Sequence, residues 1–184
     1  MTQQGSPRSP KSVEDIRAEV VKLLARHNVS QAPVDVEKIA RKENIDVKYS
    51  PFEGDTMSGA LYRMDDTAII AVNSLNHPNR RRFTIAHELG HFVLHNEALH
   101  VDRSFSIKHR DATSSLAIDP EEIEANRFAA ELLMPYDLIC ADLKLAQEFD
   151  FETDDAIAQL ASKYRVSEQA MIFRLNTVLA TFTK

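Results

Sequence analysis

Residues 81–95 have the sequence R-R-F-T-I-A-H-E-L-G-H-F-V-L-H. Apolar side chains are spread around nearly the whole circumference of a helix drawn through this stretch. This pattern predicts a buried helix over residues 79–96. Polar groups on a buried helix are costly unless they have partners, and a metal ion is one such partner. The stretch therefore raises the question of a metal site.

His87 and His91 are four residues apart. On a helix this spacing gives ~40° of rotation and ~6 Å of rise, so both imidazoles reach one ion. Glu88 lies too far around the helix to ligate with them, but it reaches a water on that ion. H-E-L-G-H thus has the H-E-x-x-H arrangement, in which two histidines bind Zn²⁺ and the glutamate takes a proton from the bound water. A chance match is the alternative, and the buried context favours the metal.

His95 adds a third histidine at the same spacing. It lies ~12 Å along the axis from His87, which is too far for one ion with bonds near ~2 Å. His95 is therefore predicted to support a ligand from behind, to lie at the rim, or to contact the helix C-terminus. These three alternatives stay open at the level of sequence.

A third protein ligand must then come from elsewhere, and the first turns of residues 119–133 offer Glu121, Glu122 and Glu124. Asp119 and Pro120 predict the start of a helix. Glu122 falls on the face that packs inward, where a carboxylate needs a partner, so it is the predicted third ligand. Asn126, one turn on, is predicted to hydrogen-bond a ligand histidine. Glu121 is the next candidate, and a capping role is the alternative for Glu122.

The other charged runs have simpler interpretations. Glu124, Arg127 and Glu131 lie on one helix face, and this stripe is predicted to be solvated surface. Residues 80–82 are three arginines, predicted to be a solvated helix start. An acidic substrate is the alternative for the arginines.

Composition limits the class of protein. The 184 residues, 43% of them hydrophobic, suffice for one ordinary domain with a real core. A net charge of −6 argues against a general nucleic-acid binder. The single cysteine, Cys140, excludes an internal disulfide and favours a reducing, cytoplasmic setting. We expect a soluble protein without a signal peptide or membrane span. Residues 1–11 are predicted to be a disordered tail.

The remaining pattern predicts an α+β fold: a small antiparallel or mixed sheet packed on helices. Residues 46–50 alternate like a strand. Residues 57–64 and 67–73 are predicted to form a hairpin, whose apolar run A-I-I-A-V makes its second strand central. Residues 97–118 show no clear period and are predicted to be a long loop.

Two motifs carry a family resemblance. They are R-R-F-T-I-A-H-E-L-G-H-F-V-L-H and E-I-E-A-N-R-F-A-A-E-L-L-M-P, with weaker echoes in P-V-D-V-E-K-I-A and S-G-A-L-Y-R. Together they resemble the ImmA/IrrE-type metallo-endopeptidases and cover residues 12–135. The resemblance implies a compact gluzincin-like zinc peptidase domain over those residues.

Carried onto this chain, the resemblance implies one Zn²⁺ held by His87, His91 and Glu122, with Glu88 as general base. Members of the family typically act on a helix-turn-helix transcriptional repressor and so derepress phage, mobile-element or stress genes. The resemblance therefore implies a protein substrate of that kind. The competing hypothesis is a non-catalytic regulator that binds DNA or a partner repressor, with a structural metal site.

Two parts of the site remain less defined. The group that stabilises the oxyanion is not set by spacing, and Tyr62, His95 and Tyr136 are candidates. Residues 136–184 are predicted to be a helical, helix-turn-helix-like module. The second helix of this module carries one arginine, Arg174, and its surroundings are acidic. A structural or partner-docking role is therefore favoured over DNA binding.

Overall fold

The computed structural model describes residues 9–52, 57–64, 67–95, 99–102, 119–147 and 155–182. Its single sheet has four strands in the described part of the chain: β1 (Ile45–Ser50), β2 (Gly59–Arg63), β3 (Ala68–Asn73) and β4 (Leu99–Asp102). The spatial order is β1-β3-β2-β4. β1 runs parallel to β3, whereas β2 is antiparallel to both β3 and β4. The sheet is therefore mixed, and β3 lies in its interior as the apolar run predicted.

Seven helices accompany the sheet within these residues: α1 (Val13–Arg26), α2 (Val36–Lys42), α3 (Pro78–Leu94), α4 (Pro120–Leu133), α5 (Tyr136–Gln147), α6 (Asp155–Tyr164) and α7 (Glu168–Leu179). The predicted α+β fold is confirmed. Among the described helices, none has the length and apolar character needed to cross a membrane. The core joins the sheet to α1, α3 and α4 through fully buried side chains such as Ile16, Ile70, Leu89 and Phe128.

The helix ends follow local chemistry. Ser12 and Asp15 form a capping box that starts α1. The Asp119 side chain accepts the backbone N–H of Glu121 at the start of α4, with Pro120 in the first turn. α4 ends at Leu133 with Met134 as its C-cap, because the residue after the cap is a proline. These signals predicted both starts correctly.

The predicted loop 97–118 is wrong for residues 99–102, which form β4. β4 pairs with β2 in the register Gly59↔Asp102 and Tyr62↔Leu99. The outer edge of the predicted hairpin is thus covered by a further strand. A four-residue strand carries little periodic signal and forms because a partner edge is present, which a local pattern does not reveal. Residues 103–118 and the first eight residues of the predicted tail lie outside the described residues.

The predicted helix–turn–helix at the C-terminus is present as α6 and α7, and it docks on the rest of the chain. Asn79 of α3 donates its side-chain amide to the Val166 carbonyl at 3.0 Å. Arg174 of α7 donates from Nε to the Met134 carbonyl at 2.8 Å and pairs with Glu131 at 2.7 Å. The helix pair is therefore anchored to both α3 and α4.

Candidate metal centre

The ligand atoms of His87, His91 and Glu122 lie within 4.8 Å of one another. The two histidine Nε2 atoms are 3.1 Å apart. Glu122 places Oε2 3.5 Å from His87 Nε2 and Oε1 3.5 Å from His91 Nε2. Atoms bound at ~2.0–2.1 Å to a tetrahedral ion lie about 3.3 Å from each other, so this spacing fits a shared ion. Two imidazole nitrogens and one carboxylate form a donor set typical of catalytic zinc.

The centre is closed on the α3 side and more open at α4. His87 and His91 are only 1% and 2% exposed, whereas the Glu122 side chain is 25% exposed. Glu122 stands in the first turn of α4, across from the two histidines of α3. Three protein ligands leave the fourth tetrahedral position for water or substrate.

Glu88 is fully buried beside β2 and does not belong to this three-residue cluster. A Cβ added to Gly59 of β2 would lie 3.3 Å from Glu88 Oε1 and 2.3 Å from Thr84 Cγ2. The missing side chain at Gly59 therefore lets the strand approach α3 at the level of this carboxylate. The weak echo S-G-A-L-Y-R contains this glycine.

Asn126 contacts His87, one of the two histidines of the cluster. Its Oδ1 lies 3.1 Å from His87 Nδ1. When His87 Nδ1–H donates to that oxygen, the Nε2 lone pair is left to face the cluster.

His95 occupies a buried position behind His91. It is 4% exposed, so the rim alternative is wrong. Its Nδ1 lies 3.0 Å from His91 Nδ1, and its Nε2 lies 3.1 Å from Glu124 Oε2. Of the three alternatives, the structure supports the position behind His91.

The C-terminal carbonyls of α3 are taken by Arg63 of β2, a residue that the sequence did not single out. Its guanidinium donates to the carbonyls of His95 at 2.9 Å, His91 at 3.3 Å and Phe92. The same group lies 4.2 Å from the centre of the Phe92 ring. Burial lowers the pKa of Arg63. The one sequence feature that could have pointed to Arg63 is its place as the last residue of S-G-A-L-Y-R, the stretch that weakly resembles the family.

The solvated stripe predicted on α4 is wrong for two of its three residues. Glu124 and Glu131 are 3% and 4% exposed, and only Arg127 is exposed. Glu124 accepts the backbone N–H of Lys11 at 2.7 Å, and Glu131 lies 3.6 Å from Arg17 Nε. α1 and the residues before it cover this face of α4, a non-local contact that helical periodicity does not report.

Neither tyrosine candidate for the oxyanion is brought to the metal cluster. Tyr62 is 50% exposed, and alternation along β2 points it away from the Gly59 face. The Tyr136 hydroxyl is hydrogen-bonded to Thr181 Oγ1 at 2.9 Å. Glu121, the second choice for a ligand, is also outside the cluster.

The three arginines at the start of α3 are half-buried rather than solvated. Arg80 donates to Ser58 Oγ at 2.7 Å, and Arg82 donates to the Val34 carbonyl at 2.9 Å. Arg81 lies over the Tyr49 ring at 5.5 Å. Burial lowers the pKa of Arg82. These side chains join the helix start to neighbouring segments, so the solvated interpretation is wrong.

The comparisons with known proteins identify the family of the chain. Residues 40–176 match the family model Peptidase_M78, described as the IrrE N-terminal-like domain. The chain belongs to this family. The resemblance inferred from two motifs is therefore confirmed, and the chain is a member of a metallopeptidase family.

A curated relative in this family is the radiation response metalloprotease IrrE of Deinococcus radiodurans. It is 32% identical over 107 residues, which cover 58% of this chain and 30% of that protein. A solved Mycobacterium tuberculosis transcriptional regulator has the same fold, with a TM-score of 0.57 and 19% identity. That match covers 88% of this chain and 46% of the regulator. The chain thus spans less than half the length of either protein.

Proposed function

We propose that the chain is a zinc-dependent endopeptidase, with His87, His91 and Glu122 as zinc ligands and Glu88 as general base. The observation that carries the proposal is the spacing of the three ligand atoms, 3.1 to 3.5 Å between partners. This spacing suits one tetrahedral ion. The family match adds that metallopeptidases share this domain.

The chain's own residues divide the work of hydrolysis. Zinc held here would supply an acidified water and polarise the scissile carbonyl. Glu88, one residue from a ligand, takes the proton of the attacking water and later gives it to the leaving amine. Its burial beside Gly59 keeps this carboxylate in one place. Asn126 holds the His87 ring so that Nε2 faces the cluster.

The substrate is proposed to bind as an extended segment along β4. Within the described residues β4 is the outermost strand on the β2 side of the sheet. Its register partner for Asp102 is Gly59, the residue that packs beside Glu88. A peptide added to this edge would gain main-chain hydrogen bonds while passing the metal centre. The outer edge of β4 is therefore the proposed docking edge, because β4 already covers the outer edge of the β2–β3 hairpin.

We propose a cytoplasmic location for the chain and a helix-turn-helix repressor as its substrate class. Loss of that repressor would derepress phage, mobile-element or stress genes. The support is the family resemblance of the two motifs. A relative named for the radiation response is consistent with a stress role.

The test mixes the purified chain with a candidate helix-turn-helix repressor, such as one encoded beside its gene, with and without a chelator, and follows cleavage by mass spectrometry. We expect metal-dependent cleavage that Glu88→Gln abolishes while zinc remains bound. Retained zinc separates loss of the base from loss of the site. Equal cleavage by Glu88→Gln would overturn the assigned mechanism.

A partner-binding regulator is the second candidate, and the surface of α7 favours partner docking over DNA binding. Arg174, the one arginine of α7, is 6% exposed and paired with Glu131, so it does not reach DNA. Ile172 and Phe173 are instead 42% and 64% exposed. Gel-shift titration with the operator DNA of the neighbouring gene should show no complex with the chain alone. A complex between the chain and a partner repressor that is lost on Phe173→Ser and unaffected by chelator would favour the regulator.

A further inference from the structure

We infer that His95 and Glu124 are positioning residues for the metal, acting on His91 through a buried chain of hydrogen bonds. The inference rests on the proposed zinc site. It concerns residues beyond the three ligands and the base, and Glu124 was expected from sequence to be solvated surface.

The chain of contacts has one consistent set of proton positions. His91 Nε2 faces the cluster, so its proton must be on Nδ1. This Nδ1–H points at His95 Nδ1, 3.0 Å away, which must then accept. The remaining His95 proton is on Nε2 and points at Glu124 Oε2, 3.1 Å away. Each donor therefore meets an acceptor, and the carboxylate sets the tautomer of both rings.

The carboxylate is itself held in place. Its second oxygen, Glu124 Oε1, accepts the backbone N–H of Lys11 at 2.7 Å. The Glu124 side chain is 4% exposed, and the His95 side chain is 0% exposed. Charge-assisted hydrogen bonds are stronger when water is excluded from them. The segment before α1 thus supplies the last hydrogen bond of the series that runs from His91 through His95 to Glu124.

Arg63 holds the backbone at the end of α3, next to the His95 ring. Because its guanidinium occupies the carbonyls of His91 and His95, the His95 backbone is held while its ring turns inward. The two ligand histidines are then supported differently. His87 is held by the neutral amide of Asn126, and His91 by a carboxylate acting through a second imidazole.

The test measures the dissociation constant for zinc by competition with a chromophoric chelator, and the visible spectrum after loading with Co²⁺. Loss of outer partners typically weakens metal binding ~10–100-fold. We expect His95→Leu, which keeps volume but removes both hydrogen bonds, to weaken zinc binding within that range and to change the Co²⁺ spectrum. Glu124→Gln should weaken binding about tenfold, because an amide cannot accept at both of its ends.

Rescue distinguishes positioning from packing. His95→Gln retains one acceptor and one donor, so it should bind zinc more tightly than His95→Leu. Glu131→Gln is the matched control, since Glu131 is equally buried on α4 but pairs with Arg174 instead of His95. It should lower thermal stability and leave the zinc affinity unchanged.

Two outcomes would overturn the inference. Wild-type zinc affinity in both His95→Leu and Glu124→Gln would show that the hydrogen bonds through His95 and Glu124 do not position His91. Equal losses in Glu124→Gln and Glu131→Gln would show that only folding is being measured. His87→Ala separates this from failure of the proposed site: if that variant also binds zinc normally, the ligand assignment itself is wrong.

Discussion

Gly90 of α3 lies against the backbone of Ala125 of α4. A Cβ at Gly90 would come within 3.1 Å of the Ala125 Cα and 3.2 Å of its carbonyl oxygen. Gly90 stands between His87 and His91 in the sequence, and Ala125 follows Glu122 by about one turn. The close approach of the two helices therefore sets the distance from His87 and His91 to Glu122.

Gly90→Ala is expected to weaken zinc binding about tenfold, because α4 must move away and metal bonds of ~2 Å tolerate little displacement. Alanine gains ~1 kcal/mol of helix propensity, whereas overpacking costs ~1–3 kcal/mol, so the net loss of stability should be small. Chelator competition measures the first effect, and urea denaturation measures the second.

Ala86→Gly is the matched control for this variant. It costs ~1 kcal/mol of helix propensity at a fully buried position of the same helix without adding volume. If Ala86→Gly loses as much zinc affinity as Gly90→Ala, general destabilisation explains the result and the close approach does not.

The sequence predicted those parts of the site that depend on the geometry within one helix. The distinction between His95 and the pair His87 and His91 follows from the rise and rotation along α3. The choice of Glu122 follows from the rotation along α4. The contact of Asn126 with His87 followed from its place on the same face of α4 as Glu122. In each case helix parameters fix which residues of one helix share a face, whereas the distance between the two helices comes from the packing of α3 on α4.

Other features depend on contacts between segments distant in sequence, and these were missed. Glu124 and Glu131 resembled a solvated stripe because nothing local shows that α1 covers them. Arg63 reaches α3 from a strand, and β4 exists only as a partner of β2. Periodicity reports which residues share a face but not which element covers that face.

Arg63→Met should lower the free energy of unfolding by about 1–2 kcal/mol, because carbonyls at the C-terminus of α3 lose a charged donor that is partly open to solvent. Methionine keeps much of the aliphatic contact with Phe92. Arg63→Lys should recover part of the loss, since it retains the charge without the planar fork. Urea denaturation measures both variants, and a loss in Arg63→Lys as large as in Arg63→Met would argue against the charge contribution.

Arg174→Met should destabilise the chain by about 3 kcal/mol, because removing one partner leaves a buried charge poorly compensated. Glu131 keeps Arg17 at 3.6 Å, which limits the loss. The double variant Arg174→Met with Glu131→Leu should be more stable than Arg174→Met alone. A double-mutant cycle from urea denaturation measures the coupling, and strict additivity would show that this pair contributes no interaction energy.

Tyr164→Phe should change how stability depends on pH. Tyr164 is fully buried at the end of α6, and its hydroxyl donates to Asp142 Oδ2 at 2.8 Å. Burial, and secondly this hydrogen bond, raise the pKa of Tyr164 above its usual 10.0.

The folded state therefore favours the neutral phenol of Tyr164. Its contribution to stability is complete below pH 10.0, the unfolded value, and is lost as the pH rises above it. Tyr164→Phe should cost about 1 kcal/mol at neutral pH, where the hydrogen bond is lost. The variant should lose less stability than the wild type on going to about pH 11, because it no longer has this phenol to ionise. Urea midpoints compared at the two pH values measure the difference, and parallel losses in both proteins would show that Tyr164 does not titrate with unfolding.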